Sequence, residues 1–515
     1  ANNTSVGRGA LCANTTGSDN VAIGFEALKA GTNDLNKQNT AVGSCAMRAN
    51  ITGCSNVAIG TRALETNTLG HSNISIGVYS SLSNTTGKQN VAVGMSALEA
   101  NTVGYGNTAL GYLAMKLGAT AKFTVGIGYQ AGYRSASTIP NTLVGYGAGC
   151  NVTTGYGNAV LGQYNYLGST TKYGVMIGWQ AHEGTGTAQN SVAIGKRALR
   201  CGPSGNSNIA IGTEALCHTT VGCENVAIGP NALTNNTSGC WNVAVGSLAG
   251  QLLTTGMENT FTGYQAGRSV TSGCYNTMMG RLSGYTLETG LRNTFIGHTA
   301  GRSAVTDISN STAIGFSAGC DTGANNTFVG AYAGCKGSGS GNVGVGINAG
   351  CILTGNNNSL LGGSAGNILT SGANNLVLGY NAQPTSATTS NEITLGDTNV
   401  TAMRIPALSY SINSSGQVSA VDFNATSDVR LKENIKTIDN GLDIVNSINP
   451  VSFTWKKDGK KSYGVIAQEL EQLIPEAVST NIEGTKVVNY MQIIAFLVEA
   501  VQDQQQQINE LKSKI

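Results

Sequence analysis

Short apolar triplets punctuate the chain: Val21-Ala22-Ile23, Val57-Ala58-Ile59, Val226-Ala227-Ile228 and Val243-Ala244-Val245 each sit between an Asn and a Gly. A triplet cannot make a helical face, and the Thr, Asn and Gly around it break any 3.6-residue period. Each therefore predicts a short strand closed by tight turns. Within a triplet the first and third side chains share one face and the second takes the other. The closing Gly recurs at 7, 24, 43, 60, 77, 94, 111, 128, 145, 162, 178, 195, 212, 229, 246, 263, 280, 297, 315, 330, 346, 362, 379 and 396, which is 24 copies with a mean spacing of about 17 residues. Such units predict coils of a parallel β-solenoid, stacked at about 4.8 Å per rung into a rod on the order of 110 Å long. The Gly suits a bend with positive φ or a close backbone approach. Three positions later the residue is usually Ala (Ala27, Ala63, Ala97, Ala131, Ala215, Ala249, Ala300, Ala333), which predicts a crowded interior. One narrow coil offers few apolar side chains, so association of several chains is expected to supply the missing burial.

The pattern changes near the C-terminus. Residues 1–382 read as the repeat shaft and 383–426 as a β-rich neck, with Glu392-Ile393-Thr394-Leu395-Gly396 and Ser409-Tyr410-Ser411-Ile412 keeping strand character. In residues 427–515, Val451–Trp455 and Lys460–Ile466 predict a hairpin around Asp458-Gly459, and Ala467–Leu473 a helix stopped near Pro475. From about 490 to 515, Ile494, Leu497, Val501, Gln504, Ile508, Leu511 and Ile515 alternate spacings of three and four, an a/d seam. Ile or Val at a with Leu at d favours two strands on local chemistry, and Gln504 is placed to fix register.

Composition agrees with this division. Residues 427–515 hold 22 of the 56 charged residues but only 4 of the 71 glycines. Charged residues are 11% and aromatics 6% of the whole, too few for an ordinary enzyme core. A net charge of +2 gives no broad drive toward nucleic acid or anionic membrane. No run of 18 apolar residues predicts a membrane span, and Ala1–Gly7 lacks the basic and apolar segments of a signal peptide. The chain opens inside the repeat without Met, as a fragment or processed chain would.

Candidate chemistry in the shaft is sparse. Cys12, Cys150, Cys217, Cys320, Cys335 and Cys351 fall five residues after a landmark Gly, and Cys54, Cys223, Cys240 and Cys274 six before the next. This phase, with no CxxC pair, predicts buried free thiols standing in for small apolar residues, compatible with a reducing compartment. His71, His182, His218 and His298 are dispersed and predict surface or packing roles, with no metal site and no cofactor expected. Rings follow the landmark Gly at Phe25, Tyr112, Tyr129, Tyr146, Trp179, Tyr264, Phe316 and Tyr380, either as rung-to-rung stacks or as a platform for sugars. Departures from the repeat at Leu117–Thr124 and Tyr164–Gly174 are expected as loops, and so as binding candidates.

Two resemblances extend this reading. Asn190-Ser191-Val192-Ala193-Ile194-Gly195 resembles the head repeat of trimeric autotransporter adhesins, whose β-rolls pack about a threefold axis. Ser427-Asp428-Val429-Arg430-Leu431-Lys432-Glu433-Asn434-Ile435, with Gly464-Val465-Ile466-Ala467-Gln468-Glu469-Leu470 and Pro475, resembles the peptidase S74 family, the intramolecular chaperone of phage tail fibres and tailspikes. The resemblance implies a mostly β fold: an elongated trimeric β-roll or β-solenoid followed by a small α+β chaperone domain ending in a coiled-coil helix. It also implies self-cleavage between Thr426 and Ser427, with Ser427 as nucleophile and Lys432 as general base in a single-turnover Ser-Lys dyad. Asp428, Arg430, Gln468 and Glu469 are supporting candidates with open roles.

The expected function is a bacteriophage tail fibre of the virion, assembled in the host cytoplasm. Its expected partners are two further copies of itself, tail or baseplate proteins, and a host cell-surface receptor, with a glycan as one candidate. The alternatives are a cellular trimeric adhesin and a glycan-degrading tailspike. The latter needs paired carboxylates, whereas the shaft offers isolated Glu26, Glu65, Glu99 and Glu214.

Overall fold

The computed structural model describes residues 2–184, 186–303, 307–405, 410–413, 418–419, 427–456, 459–481 and 484–515. The chain forms two compact units, Ala1–Thr401 and Ala402–Ile515.

Among the described residues of the first unit, 24 three-residue strands, from Thr4–Val6 to Ile393–Leu395, form one parallel sheet. Each strand pairs in register with its successor, as Val57, Ala58 and Ile59 do with Ile74, Ser75 and Ile76. This is the β-solenoid the repeat predicts, and its ladder takes in Ile393–Leu395, which the sequence reading placed in the neck. Coil length varies without loss of register: Val21 pairs with Thr40, and Thr312 with Thr327.

Both reasons for the landmark Gly are met at once. Gly60 has φ +135°, and a Cβ added there would lie 2.5 Å from the Gly77 carbonyl oxygen. Any side chain would wedge the coils apart.

The interior is lined by the middle residue of each triplet and by the third and fourth residues after the Gly. Ala22, Ala27 and Leu28 are fully buried, as are Ala58, Ala63 and Leu64. The first and third triplet residues face outward, and Ile23 and Ile59 are each 39% exposed. Volumes are exchanged between the two interior sites. Where Phe261, Phe295 and Phe328 fill the middle of the triplet, Gly267, Gly301 and Gly334 replace Leu four residues after the bend; a Cβ on any of them would come within 2.4 to 2.5 Å of the ring.

A buried asparagine column satisfies backbone groups inside the coil. The Asn242 backbone N–H donates to Asn225 Oδ1 at 3.0 Å, while Nδ2 donates to the same oxygen at 3.1 Å and to the Gly256 carbonyl at 2.9 Å. Asn225, Asn259, Asn276 and Asn293 repeat this arrangement. One side chain thereby satisfies buried groups on three coils.

Leu117–Thr124 and Tyr164–Gly174 do not leave the stack. Ala121, Thr124, Asn165, Leu167 and Thr171 are all fully buried, and the strands on either side of the second segment, Ala159–Leu161 and Val175–Ile177, pair directly. The exposed rings stack rung on rung: Tyr112 and Tyr129 have centroids 5.4 Å apart, and Tyr129 and Tyr146 4.7 Å. Others are covered by cations of the next rung, as Trp179 is by Lys196 and Arg197. Three of the four histidines lie outside the core, and His298 stacks on Phe316. All twelve cysteines are free thiols, but the expected burial fails: Cys217 alone is buried, Cys12 and Cys201 are exposed, and the others are half-buried. Ten of them occupy two phases of the coil outside the column of Ala and Leu, and Cys45 and Cys201 fall at two others.

Among its described residues the second unit contains three α-helices, α1 (Gly441–Ser447), α2 (Ala467–Leu473) and α3 (Tyr490–Lys514). The hairpin pairs Pro450–Thr454 with Lys461–Val465; of its expected tip, Asp458 lies outside the described residues. A smaller hairpin, Val478–Thr480 with Lys486–Val488, and the three-stranded sheet Ala402–Ile405, Tyr410–Asn413 and Val418–Ser419 complete it. Leu470, Ile474, Ala477 and Ile493 form its core, with Ile444, Val465, Val488 and Phe496 packed around them. Among the described residues, no helix is long and apolar enough to cross a membrane.

Candidate autoprocessing site

Five residues separate Ser427 from Lys432, a spacing that puts neither on the other's face of an α-helix. A single turn of 3-10 helix, Val429–Leu431, brings them together. Asp428 caps that turn by accepting the Arg430 backbone N–H at 2.9 Å, and the Lys432 backbone N–H closes it on the Val429 carbonyl at 3.1 Å. The chain folds back, and Lys432 Nζ donates to Ser427 Oγ at 2.6 Å.

Asp428 and Arg430 form a second pair. Arg430 Nη2 meets Asp428 Oδ2 at 2.6 Å and Nε meets Oδ1 at 3.1 Å. The Arg430 side chain, then its backbone N–H, hold the Asp428 carboxyl below its ordinary range, and the carboxylate in turn raises Arg430. Their geometry is that of a cap locked by a fork. The Arg430 N–H is thereby engaged in the cap.

Thr426 lies outside the described residues. Gln468 and Glu469 sit exposed on α2, where Glu469 Oε2 accepts from Asn449 Nδ2 at 3.3 Å. Among the described residues, no hydrogen bond joins either to Ser427 or Lys432. The sequence reading missed α1. Its signals were weak: the Asn440-Gly441 step, with Asn440 at φ 70°, and Asp443 in the first turn. Along α3, Ile494, Leu497, Val501, Ile508 and Leu511 are all exposed, while Ile493 and Ala500 face inward. Ile515 falls one residue past the helix end at Lys514.

Ser427 is also the first residue of a family match: residues 427–479 match Peptidase S74, chaperone of endosialidase. The second unit carries a chaperone-of-endosialidase domain. The chain is also similar to long tail fibre proteins. Gp37 of Salmonella phage S16 is 35% identical over 111 residues, which cover 19% of this chain and 15% of that protein. Gp37 of Enterobacteria phage K3 is 35% identical over 107 residues, covering 19% and 9%, and Gp37 of Enterobacteria phage M1 is 34% identical over 109 residues, covering 18% and 41%. The chain thus spans less than half the length of each of these relatives. No solved structure matches. The matched residues begin at Ser427 and include Lys432 and the capped turn between them; α3 lies beyond the match, and the solenoid belongs to the first unit.

Proposed function

We propose that the chain is part of a bacteriophage tail fibre, in which the chaperone-of-endosialidase domain directs three copies together and then severs itself between Thr426 and Ser427. The observation that carries this reading is the joining, in one chain, of a 24-strand ladder to a chaperone domain whose first matched residue bonds to a lysine at 2.6 Å. Outward aliphatic residues such as Ile23, Ile59, Ile228 and Val245, and the exposed seam of α3, are apolar surfaces that two further copies would cover. Attachment to tail or baseplate proteins at one end and recognition of a host surface receptor complete the role in the virion, after assembly in the host cytoplasm.

For cleavage, Lys432 acts as the neutral amine, so the hydrogen bond reverses and Ser427 Oγ–H donates to Nζ. The oxygen attacks the Thr426 carbonyl carbon, the Thr426–Ser427 peptide nitrogen leaves protonated, and water hydrolyses the resulting ester. A lysine serves as base when its ammonium is desolvated. Both side chains are exposed in the single chain, so a neighbouring copy is the source of that desolvation.

Intact mass under denaturing conditions tests this directly, beside native mass by light scattering. Cleavage removes 89 residues, about 10 kDa. Ser427→Ala is expected to keep the native mass of three chains while abolishing processing. Normal cleavage in that variant would remove Ser427 from the mechanism.

A further inference from the structure

In-register stacking does something to the cysteines that their sequence spacing alone conceals. Cys223 and Cys240 lie 17 residues apart on successive coils, and their Sγ atoms are 2.7 Å apart. The Cys223 backbone N–H points at Cys240 Sγ, at 3.1 Å. The coils are pinned on both sides of the pair. The Trp241 N–H donates to the Cys223 carbonyl at 3.1 Å, Trp241 Nε1 donates to Glu224 Oε2 at 3.2 Å, and the asparagine column fixes Asn225 against Asn242. A rung spacing of about 4.8 Å lies inside the 4.4–6.8 Å window of Cα separations that a disulfide spans. Both thiols are half-buried, so a small oxidant reaches them.

The motif repeats. Cys320, Cys335 and Cys351 occupy three successive coils, whose backbones bond from Asp321 N–H to the Cys335 carbonyl at 3.2 Å and from Lys336 N–H to the Cys351 carbonyl at 2.7 Å. The hydrogen bond between the first two sulfurs pulls the Cys320 thiol down to about 6 and pushes Cys335 up. That direction favours the Cys320 thiolate, the species that attacks a disulfide, whereas the hydrogen bond with Cys240, with burial, holds the Cys223 thiol up at about 11 and leaves Cys240 as the attacking sulfur of its pair. Cys201 and Cys217 likewise sit on adjacent coils, joined by Cys201 N–H to the Cys217 carbonyl at 3.1 Å.

We propose that these stacked cysteines are oxidation sites, and that Cys223 and Cys240 close an intrachain disulfide which staples one coil of the solenoid to the next. The oxidant is a small-molecule disulfide such as oxidised glutathione. One cysteine, as thiolate, attacks it and expels one glutathione thiolate. The second cysteine, deprotonated, attacks the mixed disulfide and expels the other. The two protein sulfurs lose two electrons and two protons, and the oxidant is reduced to two thiols. A chain folded under reducing conditions with its thiols free would tighten on meeting oxidant, with no change of fold. The inference is independent of the tail-fibre reading.

The test uses the full chain, purified in reductant, then exposed to oxidised glutathione, quenched by alkylation and digested after glutamate. Cleavage at Glu214, Glu224 and Glu258 puts Cys217 and Cys223 on one peptide and Cys240 on the next. The expected product is those two peptides linked, with loss of their alkylated forms, and the link persisting in Cys217→Ser but absent in Cys223→Ser. Three results would overturn the proposal: full alkylation of both cysteines after oxidation, glutathione retained on Cys223 without a link, or Cys240 joined to a cysteine of another chain. A serine variant of either thiol that melts as the unmodified reduced chain does shows that loss of the link is not loss of fold.

Discussion

Neither ring nitrogen of His182 has a partner, although the side chain is fully buried. It holds the register position where other coils place Leu28, Leu64 or Leu199, four residues after the bend. Burial drives its pKa down to about 4, from an unfolded value near 6.5. The unfolded chain therefore takes up a proton that the folded coil refuses. Stability is full above pH 6.5 and falls as pH drops toward 4, by about 3 kcal/mol in all, then levels off. Urea titrations across pH 4 to 7 should show this slope, and His182→Leu should flatten it; an unchanged slope would place the titrating group elsewhere. The histidine was visible in the sequence as dispersed and without metal-ligand spacing. Its burial was not, because only the register tells which turn residues point inward. Ser427 and Lys432 were legible as a resemblance, whereas the cap and turn that close their gap depend on Asp428, whose role the sequence left open.

A single coil illustrates what periodicity can and cannot reveal. The strand, the bend and the 17-residue spacing were all readable, because the same Asn and Gly recur at every rung. The exchange of volume between Phe261 and Gly267 was not, since these two positions are neighbours only across the interior. Phe261→Ala should cost about 3–5 kcal/mol through lost burial and the cavity left. Adding Gly267→Leu should recover part of that loss, because Leu28 sits at the equivalent place with φ 49° beside a triplet centred on Ala. Thermal unfolding of the single and double variants measures the recovery; a double variant no better than Phe261→Ala would mean the two sites do not share space. The elements missed altogether, α1 and the hairpin Val478–Thr480 with Lys486–Val488, are seven and three residues long, too short for either period to register.

At the scale of the whole molecule, association and processing are the properties that remain to be measured. Leu497 and Val501 are exposed on α3, so Leu497→Glu should alter the fold of one chain by no more than about 0.5 kcal/mol. In the proposed assembly it faces the same seam of other copies, and light scattering should report a native mass reduced toward that of one chain. An undiminished mass would shift the association to the aliphatic face of the solenoid. The ladder itself is quasi-one-dimensional, each rung bonded only to its neighbours, so its stability is close to a sum over nearest-neighbour contacts. Its register also holds whether nineteen residues or fifteen separate paired positions, as between Val21 and Thr40 or Thr312 and Thr327. Residue number is therefore uncoupled from axial length. Insertions within a coil change girth and surface chemistry while leaving every other rung where it was, and reach grows only in whole steps of about 4.8 Å. Such a scaffold can vary what it displays without changing how far it extends.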